Sequence, residues 1–210
     1  SVLSAQEAQA IAEIAKKHDL LVLCDETYEK IVYDGVKNPE IASLPGMKDR
    51  VIISQSFSKS YAMIPFRVGY LAGPKELIKE ILKSHQTIIS TTCAYSQEAA
   101  LAALTGPQDP VIEMVEELDR RRKLVVNKLN RLGFRCNMPK GTFYAFPDIS
   151  DFKMKSVDFA NFLLENGRVA ISPGVAYGPE GEGHARISMG APMEELETGL
   201  RGIEEAIKKL

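Results

Sequence analysis

Apolar residues along the chain come in two rhythms, helical spacing and unbroken short runs, and their alternation reads as an α/β protein. Ala8, Ile11, Ala12, Ile14 and Ala15 recur at helical spacing. Ser4 and Glu7 stand ahead of them with the separation of a capping box, so a helix is predicted over 4–18. "LLVLCDE", 20–26, follows as a near-continuous apolar strand of the kind buried on both sheet faces. The turn-rich stretch "EKIVYDGVKNPEIASLPGMKDR" crosses to a second such strand, "VIISQSF", expected parallel to the first. The connection from Phe57 to Phe66 is shorter than the dozen or so residues a parallel crossover needs. "RVGYLAG" is therefore expected antiparallel to "VIISQSF", setting Arg67 opposite Ser56.

After "GPKELIKEILKSHQ" a helical stretch runs from Tyr95 to Leu104 and is closed by the breaker "TGPQDP". A long amphipathic helix, about 111–132, leads into a second unit. There "RCNMPKGTFYAFPDIS", a helix near 156–166, "RVAISPG", "HARISMG" and a terminal helix follow one another through short loops, the pattern of a small α+β domain. The expected division is 1–108 and 109–210.

Composition narrows the function classes. With 45% hydrophobic and 26% charged residues in 210, disorder is not the default. A net charge of -2 and a pI near 6.0 give no general attraction to nucleic acid or to an anionic membrane. The one basic run, Arg120 to Lys123 behind Asp119, lies in a helical pattern and reads as a solvated or interdomain face. Cys24, Cys93 and Cys136 are odd in number and widely spaced, which argues for free thiols, a reducing compartment and a cytoplasmic protein. His18, His85 and His184 are too scattered to suggest a metal site. No apolar run approaches the roughly 18 residues of a membrane span, and no signal-peptide pattern opens the sequence.

The chemistry concentrates between the second and third strands. Ser56, Lys59 and Arg67 stand at the mouth of what should be a core, where charge is costly unless something compensates it. Asp25 ends its own strand at the same edge. In open α/β sheets ligands bind outside the carboxyl ends of the strands, so the four side chains are expected to converge on a binding site.

"CDETYEKIVYDG", "SQSFSKSYAMIPFRVGYLAG", "PKGTFYAFPDIS" and "ARISMG" together resemble class I aminotransferases of the type I pyridoxal-phosphate fold, in the branch holding aspartate and aromatic aminotransferases. The resemblance spans the chain as the C-terminal half of such an enzyme. It implies that 1–108 is part of the large cofactor-binding domain, with a mostly parallel sheet and an antiparallel last strand. It further implies that 109–210 is the small C-terminal domain, and that "Ser1-Val-Leu-Ser" follows an Asn-Pro-Thr-Gly turn. The implied cofactor is pyridoxal 5'-phosphate. Lys59 resembles the lysine that forms the internal aldimine, Asp25 the carboxylate paired with the pyridine nitrogen, and Tyr28 the phenol on the ring oxygen. Ser56 and Arg67 resemble the phosphate contacts. Ser58 matches loosely and is set aside. Arg186 resembles the arginine that grips the substrate α-carboxylate. Phe143, Tyr144 and the 172–174 turn are read equally as pocket wall and as core.

The implied reaction moves an amino group between an amino acid and a 2-oxo acid, in a homodimer when full length. Two alternatives keep the residues and change the role. One is another enzyme of the fold, such as a carbon-sulfur lyase or a cyclopropane-forming synthase; the other is a non-catalytic truncated paralogue acting as an interaction module.

Overall fold

Ser4 opens the first helix as its spacing predicts. Its hydroxyl accepts the Glu7 N–H at 3.2 Å while the Glu7 carboxylate accepts the Ser4 N–H at 2.7 Å, closing a capping box over α1 (Ala5–Lys17). The computed structural model describes residues 2–210, and the chain divides into two compact units, one ending at Glu113 and one beginning at Met114.

In the first unit, β1 (Val22–Asp25), β2 (Val51–Ser56) and β3 (Gly69–Ala72) form one sheet in that order. β1 and β2 are parallel, in register from Val22↔Val51 to Asp25↔Ser54. β3 runs antiparallel to β2, as its short connection requires. Alternation sends Val22, Cys24, Val51 and Ile53 to one face, where they pack with Ala8, Ala12, Ala15, Ile41 and Met47. The small alanines let α1 sit close against the strands. The opposite face carries Leu23, which is 68% exposed. β1 is thus covered on one face only, against the expectation of burial on both. No side chain among the described residues lies over Leu23 closely enough to dry it.

The connection between β2 and β3 holds a single-turn helix, α2 (Phe57–Ser60), and a 3₁₀ turn at Ile64–Phe66. α3 (Lys75–Ile88) and α4 (Ala94–Thr105) follow. α3 buries no residue, and its Ile78, Ile81 and Leu82 border an open groove of about 390 Å³ beside Tyr70 and Leu71.

The second unit is antiparallel. β4 (Tyr144–Ala145), β5 (Ser172–Pro173) and β6 (Ala185–Ser188) pair in the order β4-β6-β5. The core face of this sheet presents Ala145, Ala185 and Ile187. They pack with Val125, Val126 and Leu129 of α5 (Asp109–Arg131), Phe159 and Leu163 of α6 (Ser156–Gly167), and Leu196, Leu200 and Ile203 of α7 (Met193–Ile207). α6 and α7 approach most closely at Gly167 and Gly202. A β-carbon on Gly202 would lie 2.3 Å from the Gly167 carbonyl oxygen.

The basic run on α5 is not one solvated face. Arg120 and Lys123 are exposed and pair with Glu117 and Asp119. Arg122 is only 1% exposed; it donates to Asp119 at 2.8 Å and to the Pro139 carbonyl at 2.7 Å. A guanidinium so placed is tolerated because its donors are met. Among the described residues no helix is long and apolar enough to cross a membrane.

Candidate active site

Asp25 closes β1 and Ser56 closes β2, so both lie at the carboxyl ends of parallel strands. Asp25 Oδ1 accepts the Thr27 hydroxyl at 2.5 Å and the Thr27 N–H at 3.1 Å. These bonds make an Asx turn that fixes the carboxylate where the strand ends. The Thr27 carbonyl in turn accepts the Ser60 hydroxyl at 3.3 Å, tying the end of β1 to α2, the turn that carries Lys59. Tyr28 stands half-buried in the same turn as Thr27, and Lys59 is half-buried between the buried Ser58 and Ser60. The Asp25 carboxylate is exposed, because this strand end opens on the uncovered face of the sheet.

The register corrects one expectation. Ser56 pairs with Gly69, not with Arg67. The 3₁₀ turn takes up the connection and leaves Arg67 just outside β3 in the left-handed region, at φ 50 and ψ 51. A non-glycine residue there bears strain of about 1 kcal/mol. From that position Arg67 Nη1 donates to the Ser58 hydroxyl at 3.3 Å and to the Ile64 carbonyl at 3.1 Å. Its Nε and Nη2 make no hydrogen bond among the described residues. Ser56 Oγ accepts the Ser58 N–H at 3.1 Å. Two hydroxyls and one guanidinium are therefore held together at the end of β2. Ser58 belongs to this group although its sequence match is loose; the hydroxyl's place beside Arg67 follows from α2. Thr27 had a readable signal, the Asp-x-Thr spacing of an Asx turn.

Next to Asp25, the Glu26 carboxyl is pushed up from the usual range by burial, against the lowering effect of the Asn38 amide that donates to it at 2.5 Å. A carboxyl raised in the folded state favours folding while protonated, and that advantage is lost as pH rises through its folded value. Glu26→Gln keeps an acceptor for Asn38, so it should raise the thermal midpoint at pH 7. The gain should vanish below about pH 4, where the wild-type carboxyl is protonated in both states. Melting curves at the two pH values check this.

In the second unit Arg186 lies on β6, on the face opposite Ala185 and Ile187. Its side chain makes no hydrogen bond or ion pair among the described residues. Its guanidinium carbon lies 4.4 Å from the centroid of the Tyr144 ring and 4.6 Å from that of Tyr177. Phe143 packs on Tyr144 at 4.7 Å between centroids, which places Phe143 and Tyr144 beside Arg186 and outside the apolar core. A guanidinium held by rings, with its donors uncommitted, is suited to a planar anion.

Comparison with known proteins gives this arrangement its context. An aspartate aminotransferase of Pyrococcus abyssi is 40% identical over 211 residues, and an aromatic-amino-acid aminotransferase of Thermococcus litoralis is 39% identical over 211. In each case the alignment covers all of this chain and 54% of the relative. The crystal structure of an aromatic aminotransferase from Pyrococcus horikoshii superposes with a TM-score of 0.97 at 39% identity, over 100% of this chain and 56% of that one. The chain thus spans about half the length of these relatives. The match to the family of class I and II aminotransferases runs over residues 1–203, and the chain belongs to that family.

Proposed function

We propose that this chain acts within a full-length pyridoxal 5'-phosphate-dependent aminotransferase that moves an amino group between an amino acid and a 2-oxo acid. The first unit is then part of the large cofactor-binding domain, the second is the small C-terminal domain, and the enzyme works as a cytoplasmic homodimer. The observation that carries the reading is the tie between the ends of β1 and β2, where Asp25, Thr27, Ser60 and the α2 turn join the carboxylate to the segment holding Lys59.

The residues present fit the cofactor. Ser56, Ser58 and Arg67 offer hydroxyls and a guanidinium edge, a donor set matched to a phosphate dianion. Asp25 has Oδ2 uncommitted among the described residues and would keep a pyridine nitrogen protonated. When bound, the cofactor supplies an aldehyde for an amine and a ring that draws electrons from the substrate α-carbon. Lys59 Nζ would be the amine that anchors it. With the cofactor and substrate in place, Lys59 Nζ would hold the proton removed from the substrate α-carbon. The Tyr28 hydroxyl would orient the ring oxygen, and the Arg186 guanidinium would bind the substrate carboxylate.

Transfer of an amino group to 2-oxoglutarate by the full-length protein tests the reading. Release of sulfide or of a cyclised product with no keto-acid turnover would contradict it. Within the phosphate group, Arg67→Lys keeps the charge and loses the fork. It should weaken cofactor binding about 10–100-fold in an absorbance titration. Unchanged binding would remove Arg67 from the site.

A further inference from the structure

An arginine that must bind a carboxylate has to be held in place without a competing anion. An acidic partner would hold such an arginine, but it would occupy the N–H edge and offset the charge. Arg186 is fixed differently. β6 lies between β4 and β5, and the two ring contacts reach Arg186 from opposite sides of that strand. Tyr144 comes from β4. Tyr177 comes from the 3₁₀ turn Gly174–Tyr177 that follows β5. We infer that Tyr144 and Tyr177 are positioning residues that clamp the Arg186 guanidinium against their rings, leaving its N–H edge open for the substrate carboxylate.

Aromatic faces suit this task because they attract the cation through the ring quadrupole and offer no acceptor along the guanidinium edge. The clamp itself is braced. Phe143 packs on Tyr144, and Phe146 meets Tyr177 edge-on at 6.3 Å while stacking on His184 at 5.1 Å. The loop bearing Tyr177 is tied to the start of α6. Ser156, fully buried, accepts the Val175 N–H at 3.4 Å and donates its hydroxyl to the Glu182 carboxylate at 3.0 Å. Glu182 also accepts the N–H groups of Ser156 at 2.6 Å and Gly183 at 3.1 Å. These backbone bonds hold the Glu182 carboxyl below the usual carboxylate range and give it partners other than an arginine. Such a shell is what keeps a binding group within its productive geometry.

This inference rests on the reading of Arg186 as the carboxylate group, and the test separates the two. In the full-length protein, KM for 2-oxoglutarate and kcat are measured for Tyr144→Phe, Tyr144→Leu, Tyr177→Phe, Tyr177→Leu and Arg186→Ala. Each leucine variant should raise KM about tenfold with kcat within about twofold of wild type, since only carboxylate binding is loosened. The phenylalanine variants, which keep the ring, should stay within about twofold in both. Tyr177 is 48% exposed, so its leucine variant decides the matter even where Tyr144→Leu does not fold. A folded Tyr177→Leu with wild-type KM, or phenylalanine variants as impaired as leucine ones, would overturn the clamp. An Arg186→Ala variant with unchanged KM would overturn the carboxylate reading itself.

Discussion

Lys59→Ala in the full-length protein is expected to lower amino-group transfer by about four orders of magnitude, while phosphate-dependent cofactor binding persists. On the proposed reading, the substitution removes both the amine that would bond to the aldehyde and the base that would hold the α-proton. Ser56, Ser58 and Arg67 keep their mutual bonds without it, because those bonds run through the start of α2 and the turn before β3. Lys83, exposed on α3 and paired with Glu80, is the matching control, and its alanine variant should retain full activity. Steady-state transfer rates on both variants make the comparison. Equal loss in the two, or full activity in Lys59→Ala, would remove Lys59 from the chemistry.

Gly202→Ala should unfold the second unit or destabilise it by about 3 kcal/mol. The added carbon would lie 2.3 Å from the Gly167 carbonyl oxygen and 3.0 Å from Val169 Cγ2, so it meets backbone that cannot turn aside. α6 and α7 would have to separate, and with them Phe159, Leu163, Leu200 and Ile203 would lose their packing. Gly199, one turn earlier on the same helix, has open space where a β-carbon would stand, with no atom within 4 Å. Gly199→Ala should therefore stabilise by about 0.5–1 kcal/mol through helix propensity alone. Urea unfolding of the two variants gives opposite signs if the helix contact is as close as described.

Local patterns alone announce much of this architecture. The capping box at Ser4 and Glu7, the apolar stripe of α1 and the antiparallel turn into β3 follow from neighbours in sequence, which periodicity and loop length report. The placement of Asp25 and Ser56 at the carboxyl ends of β1 and β2, with Lys59 in the turn that follows β2, comes from the same reasoning. The register of Arg67 does not, because a 3₁₀ turn and a left-handed residue absorb two positions that counting assigns to the strand. The cover of β1 also escapes: an apolar run says that burial is favourable, not that a partner surface is present. Arg122 carries a signal that the basic run around it hides. It shares helical spacing with Leu118, Val125 and Leu129, and a charge within an apolar stripe marks a buried, bonded guanidinium. Tyr177 and Arg186 meet through a turn that no spacing rule describes, and Gly167 and Gly202 touch across 35 positions of chain.

The central assignment is one ε-amino group among the chain's lysines, and chemical trapping addresses it without reference to turnover. Full-length protein is mixed with pyridoxal 5'-phosphate, reduced with borohydride and mapped by peptide mass. The account predicts a single dominant adduct on Lys59, diminished in Arg67→Lys and absent in Lys59→Ala. Label spread evenly over exposed lysines such as Lys79, Lys83 and Lys123, with Lys59 unmodified, would contradict it.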